Sequence, residues 1–479
     1  MRGIYFVLLT AVLFGGLVHQ GLYFDEAFYP YHIIMHLLFI ILLVRIWLYK
    51  ENVFKPYLIF MLIPIVYALP LLFGPASVYL TIQGVLRAST TVAFFIMAIY
   101  VFHKDSPYHR FVPFIVHGNG LILSLHMLLF DLGILTEGHY IMMGRYAGLV
   151  EYANTFGVLL AALFFYGLIQ SEQTQNKWLT YLHLSVLPMY LFMVLKSQSR
   201  GVLLFSSVVF IIMMSLFKTK QQLKLLLVSS LALASALILY VAIEEINAVM
   251  MMVLFLCFSI LFSWISRYWL ERLPKNISLN RWIIPFGMVL LISVSLINIL
   301  KKGILYRVLL QWFELDMSQL TQTSTFTERL AFLFDGLKIF KDAPLIGQGA
   351  RTWALTYQTV RSYDYQSLEV HNGYLDILLE TGVIGFSVMM LLVGLVMRQA
   401  YKGEETNLTF IPIVVIMSHS VMDFNLSFGF VWFFLIVMLS SQIKPSIDLI
   451  PIKRYNTSRW FDVLLVLTCL ASLAVLIFL

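Results

Sequence analysis

The sequence has 479 residues, of which 60% are hydrophobic and only 12% are charged, and its mean hydropathy is +0.87. Because a soluble domain carries about 25% charged residues, this composition excludes a soluble enzyme and predicts a membrane protein. The net charge of +7 is therefore interpreted through the placement of cations about a bilayer, and no nucleic-acid partner is expected.

Apolar runs long enough to cross a bilayer follow one another along the chain. A transmembrane helix needs about 20 mostly apolar residues, and fifteen runs come near this length: 4–20, 32–49, 56–73, 80–102, 111–134, 153–170, 178–195, 201–217, 223–243, 246–265, 282–300, 383–398, 408–421, 426–441 and 461–479. The predicted fold class is an all-α polytopic membrane protein with about 14–15 transmembrane helices. Residues 1–300 would hold the first eleven helices, 301–382 a large external catalytic loop with amphipathic helices, and 383–479 the C-terminal helices.

The basic residues predict an orientation. When the N-terminus is placed in the cytoplasm, most of the 32 Lys and Arg residues fall in cytoplasmic connections, as the positive-inside rule requires. The loop 301–382 then lies on the external side.

Four cations depart from this rule on or near the external side: Arg87, Arg145, Lys196 and Arg200. Arg87 falls inside the run 80–102, and an arginine within a span costs ~2.5–3.5 kcal/mol on insertion scales. Snorkelling or a bond to a backbone carbonyl explains Arg87 alone equally well. One anionic ligand at the outer face would explain all four together, so the cations favour an anion-binding site.

The external loop carries further motifs. The segment "TFTERLAFLFDGLKIFKDAP" predicts a helix with Arg329 in its first turn, where free N–H groups favour an anion. Its apolar face is predicted to comprise Leu330, Leu333, Phe334, Leu337 and Phe340. Gly347 and Gly349 in "PLIGQGA" predict a tight turn, which is weak evidence for phosphate. In "HNGYLDILLETG", Asn372 is a candidate N-cap, and His371 taken alone would be an ordinary loop histidine.

Other polar or small residues near the membrane entry are expected to be structural. Gly382 would permit close approach of neighbouring backbones, and Glu380 would accept a hydrogen bond at a helix end. His419 and Asp423 lie near the outer end of a short span. They would either line a path for an acceptor or tie two helices together, and the second role is expected.

Three stretches together resemble the bacterial O-antigen ligase and O-antigen polymerase superfamily. "GRYAGLVEYANTFGVLLA" (144–161) is similar to the family's Arg-x-x-Gly and Asn entry to a span, and "LKSQSRGVLL" (195–204) to its Ser-Arg-Gly turn. The stretch 328–385 is similar to its outer loop, where Arg, Pro-x-x-Gly-x-Gly, His-Asn-x-Tyr-Leu and Glu-x-Gly follow in order. The resemblance extends over about 140–440, and the chain has more predicted spans than the family's usual dozen.

The resemblance implies a GT-C-like glycosyltransferase of the bacterial cytoplasmic membrane that acts in cell-surface polysaccharide biosynthesis. Its donor would be an oligosaccharide on polyprenyl (undecaprenyl) diphosphate, its acceptor a glycan or a lipid, and other polysaccharide-assembly proteins its further partners. By residue match, His371 would be catalytic, and Arg200 and Arg329 would bind the diphosphate. The second-line substrate-binding candidates are Arg87, Arg145, Lys196, Asn372 and Arg351.

These residue types suit inversion at a sugar C1 atom. Arginine stays charged and binds phosphate oxygens in pairs, whereas histidine titrates near neutral pH and accepts the proton of an attacking hydroxyl. Since several cations are available, no metal ion and no other cofactor is expected, although the external carboxylate pairs Asp25-Glu26 and Glu314/Asp316 could hold a divalent ion.

Two further questions stay open at the level of sequence. A flippase for the same lipid-linked glycan is the alternative function; it would place a site near the middle of the membrane, whereas the cations gather at one face. Polymerase and ligase share the donor chemistry, and the sequence favours neither.

Overall fold

The structure is a computed structural model. It describes residues 1–136, 138–242, 248–272, 280–304, 306–307, 324–402, 408–445, 449 and 457–478. Secondary structure in these residues is helical apart from a short hairpin, in which Ile141–Met142 (β1) pairs antiparallel with Arg145–Tyr146 (β2). The predicted all-α class is therefore confirmed.

The α-helices follow the predicted apolar runs, and each of the fifteen runs overlaps at least one helix. In chain order the helices are Arg2–Val18 (α1), Asp25–Leu48 (α2), Leu62–Ala68 (α3), Val78–Phe102 (α4), Val112–Asp131 (α5), Ala153–Gln173 (α6), Lys177–Ser185 (α7), Leu187–Ser197 (α8), Arg200–Leu216 (α9), Thr219–Ala242 (α10), Ala248–Arg272 (α11), Ile283–Leu300 (α12), Ser324–Phe340 (α13), Thr352–Val360 (α14), Gly373–Lys402 (α15), Ile411–His419 (α16), Gly429–Ser440 (α17) and Thr457–Phe478 (α18). The carboxylate pair Glu314/Asp316 lies outside the described residues.

Eight helical stretches in the described part of the chain are long and apolar enough to cross a membrane. They are Asp25–Leu48, Phe54–Leu72, Val78–Phe102, His109–Asp131, Ala153–Gln173, Lys177–Ser197, Thr219–Val241 and Gly373–Tyr401. Shorter apolar helices, among them Arg2–Val18 and Gly429–Ser440, accompany them. The protein is a multi-pass membrane protein, while the total of 14–15 spans and the orientation stay predictions.

The chain folds into two compact units. The first comprises Met1–Val116, Arg329–Phe410 and Ser420–Leu479. Within it, α2, α3 and α17 pack on α4, α15 packs on α3, and α18 packs on α2.

The second unit comprises His117–Glu328 and Ile411–His419. It is built around α6, which packs against α8, α10 and α16 and is buried along almost its whole length. A helix that is apolar on all sides, as α6 is, has to be enclosed by other helices or lipid.

Part of the predicted external loop packs into a small apolar core within the first unit. Its buried side chains are Phe332, Ile339, Trp353, Tyr357, Val370, Leu375 and Leu379. The face of α13 that contributes to this core is therefore centred on Phe332 and Ile339. Of the predicted apolar face, Leu333 and Phe340 pack against this core, whereas Phe334 is 61% exposed, so the prediction from helical spacing is confirmed only in part.

A buried carboxylate anchors the same core. Asp335 accepts hydrogen bonds from Nζ of Lys338 (2.6 Å), the backbone N–H of Ser362 (2.8 Å) and the hydroxyl of Tyr365 (2.9 Å). Burial by itself would raise the pKa of Asp335, but these hydrogen bonds outweigh it and lower the pKa below its usual range.

Helix α15 is broken at Gly382, where φ is 62° and ψ is −173°. Beyond the break, the N–H groups of Val383 and Ile384 donate to the carbonyl oxygens of Pro344 (2.9 Å) and Leu345 (3.0 Å). These bonds replace helical ones that the break removes, and an unpaired backbone group at this place would be costly.

The glycine-rich turn also pairs with the part of α15 that precedes the break. The N–H groups of Gln348 and Gly349 donate to the carbonyl oxygens of Leu379 and Glu380, each at 3.0 Å. Gly347 and Gly349 have φ values of 72° and 91°, which confirms the predicted tight turn. A Cβ atom on Gly347 would lie 2.4 Å from the carbonyl carbon of Glu380, so only glycine fits there.

Gly382 is restricted in the same way. A Cβ atom at this position would lie 2.3 Å from the carbonyl carbon of Leu345. The close backbone approach predicted for Gly382 is confirmed, and it joins the predicted external loop to a membrane-spanning helix.

Candidate functional site

Two of the predicted site residues, Arg329 and His371, come together on Asp423. Nη2 of Arg329 lies 3.2 Å from Oδ2 of Asp423, and Nδ1 of His371 lies 3.5 Å from Oδ1 of the same carboxylate. The Asp423 side chain is fully buried, whereas the side chains of Arg329 and His371 are 18% and 23% exposed. A buried acid is thus hydrogen-bonded to a guanidinium and lies beside an imidazole, and both of these side chains are partly exposed.

Local capping fixes the position of His371. The side-chain oxygen of Asn372 accepts hydrogen bonds from the N–H groups of Tyr374 (3.1 Å) and Leu375 (3.0 Å). Asn372 is therefore the N-cap of α15, and the substrate-binding role assigned to it by resemblance would have to share its side chain with this cap. His371 precedes the cap with φ of 52°, a backbone conformation that non-glycine residues seldom adopt.

Backbone bonds hold Asp423 against the same helix end. The N–H of Gly373 donates to the carbonyl oxygens of Ser420 (2.9 Å) and Asp423 (3.1 Å). The N–H of Phe424 donates to Oδ1 of Asp423 at 2.9 Å. Backbone hydrogen bonds of its own chain segment thus orient the carboxylate, in addition to its contacts with Arg329 and His371.

Two aromatic rings enclose the imidazole. Phe332 stacks on His371 with ring centroids 5.7 Å apart, and Phe424 meets it edge-on at 5.1 Å. Nδ1 of His371 is buried and lies 3.5 Å from Oδ1 of Asp423, without a hydrogen-bond partner among the described residues. A proton exchanged with a substrate would accordingly use Nε2, the nitrogen that does not face the carboxylate.

Arg87 and Arg351 form a second group in the first unit. Arg87 donates to Oδ1 of Asp25 (2.8 Å) and to the carbonyl oxygens of Leu22 (3.0 Å) and Ser427 (2.8 Å). The expected alternative for Arg87, a bond to a backbone carbonyl, is thus present in the structure. The residue ties α4 to the segment before α2 and to the turn before α17.

Arg351 is held by the buried acid Glu369. Its Nη1 donates to Oε1 of Glu369 at 2.9 Å, and the hydroxyl of Tyr23 donates to the same oxygen at 2.5 Å. Burial alone would lower the pKa of Arg351, but the Glu369 carboxylate outweighs it and raises the pKa above its usual range. The guanidinium therefore stays charged in this partly enclosed position.

These side chains border a cavity of about 150 Å³ in the first unit. Its charged and amide side chains are those of Asp25, Gln83, Arg87, Arg351, Asp376 and Glu380. The expected role of Glu380 is present here as well, because its Oε1 accepts a hydrogen bond from the backbone N–H of Arg351 at 2.8 Å.

The remaining predicted cations belong to the second unit. Nε of Arg145 donates to the carbonyl oxygen of Ser197 at 2.9 Å, so Arg145 reaches the turn that carries Lys196 and Arg200. Arg200 is exposed at the first position of α9. Ser199 caps that helix, since its hydroxyl accepts the N–H of Val202 at 3.4 Å. The structure thus groups these three cations around one helix start.

Sequence reasoning underestimated Asp423 and did not single out Glu369. Asp423 was expected to tie helices together, and it does so through a contact with both main candidates. One signal could have found it, because Asp423 is the only acidic residue between 408 and 441. An acid in so apolar a segment requires a partner.

The fold and this site define a class: a polytopic all-α membrane protein with an Arg–Asp–His cluster at the start of a broken spanning helix. A comparison with protein families narrows the class. Residues 246–390 match the family model described as O-Antigen ligase, which confirms the resemblance seen in the sequence. The matched segment includes Arg329 and His371 but neither Arg200 nor Asp423. No curated protein matches the chain.

Proposed function

We propose that the protein is a membrane glycosyltransferase that transfers or polymerises oligosaccharide from a polyprenyl (undecaprenyl) diphosphate donor in cell-surface polysaccharide assembly. The reaction would take place on the outer side of the cytoplasmic membrane, to which we assign the loop 301–382. The observation that carries this proposal is the contact of His371 and Arg329 with the buried carboxylate of Asp423. The O-antigen ligase match over the same loop supports it.

His371 is the proposed general base. Nε2 takes the proton of the acceptor hydroxyl while that oxygen attacks C1 of the donor sugar from the face opposite the diphosphate. The new C1–oxygen bond forms as the bond to the diphosphate breaks, which inverts the configuration at C1. Asp423, whose Oδ1 lies 3.5 Å from Nδ1, stabilises the imidazolium that forms, as a carboxylate does beside a catalytic histidine.

Arg329 is the proposed partner of the leaving diphosphate, whose negative charge grows as the bond breaks. A guanidinium that is 18% exposed and anchored on one side by Asp423 can present its other N–H groups to phosphate oxygens. Because cationic side chains supply this stabilisation, we propose a metal-independent reaction. Unchanged transfer after treatment with a chelator is the expected result, and loss that added Mg²⁺ or Mn²⁺ restores would contradict it.

Arg200, with Arg145 and Lys196, is proposed to contribute separately to donor binding. Arg200→Ala is expected to weaken binding of the lipid-linked donor, while a matched exposed cation, Lys341→Ala, leaves it unchanged. Equal donor affinity in Arg200→Ala and wild type would remove Arg200 from the proposal without touching His371.

A flippase is the alternative proposal, and one observation bears on it. Transporters often use the freed backbone groups of a broken helix to bind their substrate, and α15 is broken at Gly382. Here the N–H groups of Val383 and Ile384 are already paired with the loop, as are the carbonyls of Leu379 and Glu380. The break thus serves to dock the loop, which favours the enzyme.

Replacement of His371 tests the proposed reaction most directly. His371→Ala is expected to reduce glycan transfer by about 10²–10⁴-fold while binding of the lipid-linked donor and the protein level stay close to wild type. Transfer is measured with purified protein and lipid-linked glycan extracted from a deletion strain. Undiminished product would refute the role of His371, and normal transfer with defective translocation would favour the flippase.

The same deletion strain separates the two enzymatic outcomes. Accumulation of a single repeat unit on the polyprenyl carrier would indicate a polymerase. Accumulation of long chains on the carrier would indicate a ligase, because polymerisation would then have proceeded without this protein.

A further inference from the structure

The cavity bordered by Arg87 and Arg351 has an excess of hydrogen-bond acceptors. Gln83 is 94% buried, since its relative exposure is 6%, and it lines the cavity. Its amide nitrogen donates to the hydroxyl of Tyr29 at 2.9 Å, while its Oε1 is buried without a donor among the described residues. A buried acceptor without a donor destabilises a fold by about 1–3 kcal/mol. A ligand that donates a hydrogen bond to Oε1 of Gln83 would remove this cost.

Two carboxylates supply further hydrogen-bond acceptors to the same cavity. Asp376 and Glu380 are four residues apart and line the cavity from one face of α15. The two guanidiniums that border the cavity are already paired, Arg87 with Asp25 and Arg351 with Glu369. Among the described residues, Glu380 accepts from the N–H of Arg351, but no group donates to the carboxylate of Asp376.

The side chains that line the cavity indicate which class of ligand it would bind. Both guanidiniums that line the cavity are already paired with carboxylates, Arg87 with Asp25 and Arg351 with Glu369, which disfavours a phosphate or other anion. Hydroxyl groups satisfy carboxylate and amide oxygens without bringing a full charge into a low-dielectric site. The walls formed by Tyr67 and Trp432 add aromatic surface, which suits the apolar face of a ring-shaped molecule.

The size agrees with a single ring. The cavity measures about 150 Å³, and a cavity of about that volume in another protein accommodates a six-membered carbon ring. We propose that this cavity is a sugar-binding subsite that takes one hydroxyl-bearing pyranose ring of the glycan substrate. Asp376 and Gln83 accept hydrogen bonds from its hydroxyl groups.

The subsite adjoins the cluster of Arg329, Asp423 and His371. Gly373 lines the cavity, follows His371 by two residues, and donates its N–H to the carbonyl oxygen of Asp423. The inference therefore deepens the proposed function, on which it rests. A ring held here would place the neighbouring part of the glycan at the start of α15, beside the proposed base.

The test measures binding of two probes to the purified full chain in detergent. One probe is the oligosaccharide released by mild acid from the lipid-linked glycan of a deletion strain, and the other is the intact lipid-linked glycan. Asp376→Asn and Gln83→Leu are compared with matched controls that make the same changes at exposed positions, Asp364→Asn and Gln358→Leu. Thermal unfolding confirms that each variant is folded.

The expected result is saturable binding of the released oligosaccharide to wild type, weakened about tenfold or more in Asp376→Asn and in Gln83→Leu. The controls should bind like wild type. If the two cavity variants also weaken binding of the intact lipid-linked glycan, the ring belongs to the donor. If only the released oligosaccharide is affected, the ring belongs to the acceptor.

Three outcomes would overturn the inference. The first is that wild type does not bind the oligosaccharide. The second is that wild type and both cavity variants bind it equally. The third is that Na⁺ or Mg²⁺ stabilises wild type but not Asp376→Asn, while sugar binding is unchanged. The last outcome would make the cavity a cation site. His371→Ala separates the two proposals, because it should abolish transfer while leaving this binding intact.

Discussion

Asp423→Asn isolates what the buried carboxylate does for the proposed base. The substitution keeps the size and one acceptor oxygen, so the hydrogen bond from the N–H of Phe424, 2.9 Å long, has a partner in the variant. It removes the negative charge that lies 3.5 Å from Nδ1 of His371 and 3.2 Å from Nη2 of Arg329. The protein is expected to fold, and the imidazole is expected to lose its orientation.

The magnitude follows from the contacts. General base catalysis contributes about 10²–10⁴-fold to a rate. If Asp423 acts only through His371, the rate lost in Asp423→Asn cannot exceed the rate that His371 itself contributes. We expect kcat to fall about 10²–10³-fold, which corresponds to about 2.7–4.1 kcal/mol of transition-state stabilisation. The KM for the donor should change by less than about threefold, because Arg329 keeps its charge.

The assay is transfer from purified lipid-linked glycan under steady-state conditions, with kcat and KM determined separately for wild type, Asp423→Asn, His371→Ala and the double variant. The double variant should be no slower than His371→Ala, since the two residues act as a unit. Asp364→Asn is the matched control, because Asp364 is on the loop that carries His371 and its side chain is 88% exposed.

The reasoning would be refuted by a double variant that is slower than His371→Ala by the full factor of the Asp423 substitution. Such additivity would show that the two residues act independently. A fall in thermal stability with unchanged kcat would equally contradict it, since the carboxylate would then be structural only.

Three further predictions follow from the loop and the fold. Gly382→Ala should disrupt docking of the loop on α15, because the new Cβ atom would lie 2.3 Å from the carbonyl carbon of Leu345. The expected result is faster proteolysis of residues 341–351 than in wild type. Protection equal to that of wild type would argue against the docking. Asp335→Asn should destabilise the loop core by about 1–3 kcal/mol at neutral pH. The pKa of Asp335 is lowered in the folded protein. Its stabilisation is therefore present above the pKa of the unfolded state and is lost as the pH falls through the pKa of the folded state. Thermal unfolding of the variant should accordingly depend less on pH in the acidic range than that of wild type. Reporter fusions at residues 360 and 275 should indicate opposite sides of the membrane, and the same side for both would overturn the assigned orientation.

Local patterns predicted a large part of the fold and some of the site. The N-cap at Asn372 and the tight turn at Gly347 and Gly349 could be predicted because each depends on a few neighbouring residues. The buried face of α13 could be predicted only in part, because the helix carries apolar residues on more than one side; Leu333 and Phe340 pack against the loop core as predicted. Helical spacing identified Phe334, whereas packing of the loop core selected Phe332.

The sequence by itself determined that this protein is helical and crosses a membrane many times, and it predicted that Arg329 and His371 lie on a loop between spans. Composition and apolar run length carry that information residue by residue, since lipid requires every spanning segment to satisfy its own backbone. Only the tertiary structure decided which groups meet. The carboxylate of Asp423 reaches Arg329 and His371 across 94 and 52 positions of the chain, because packing around the start of α15 places the segment 420–423 there, and no short-range pattern encodes that contact.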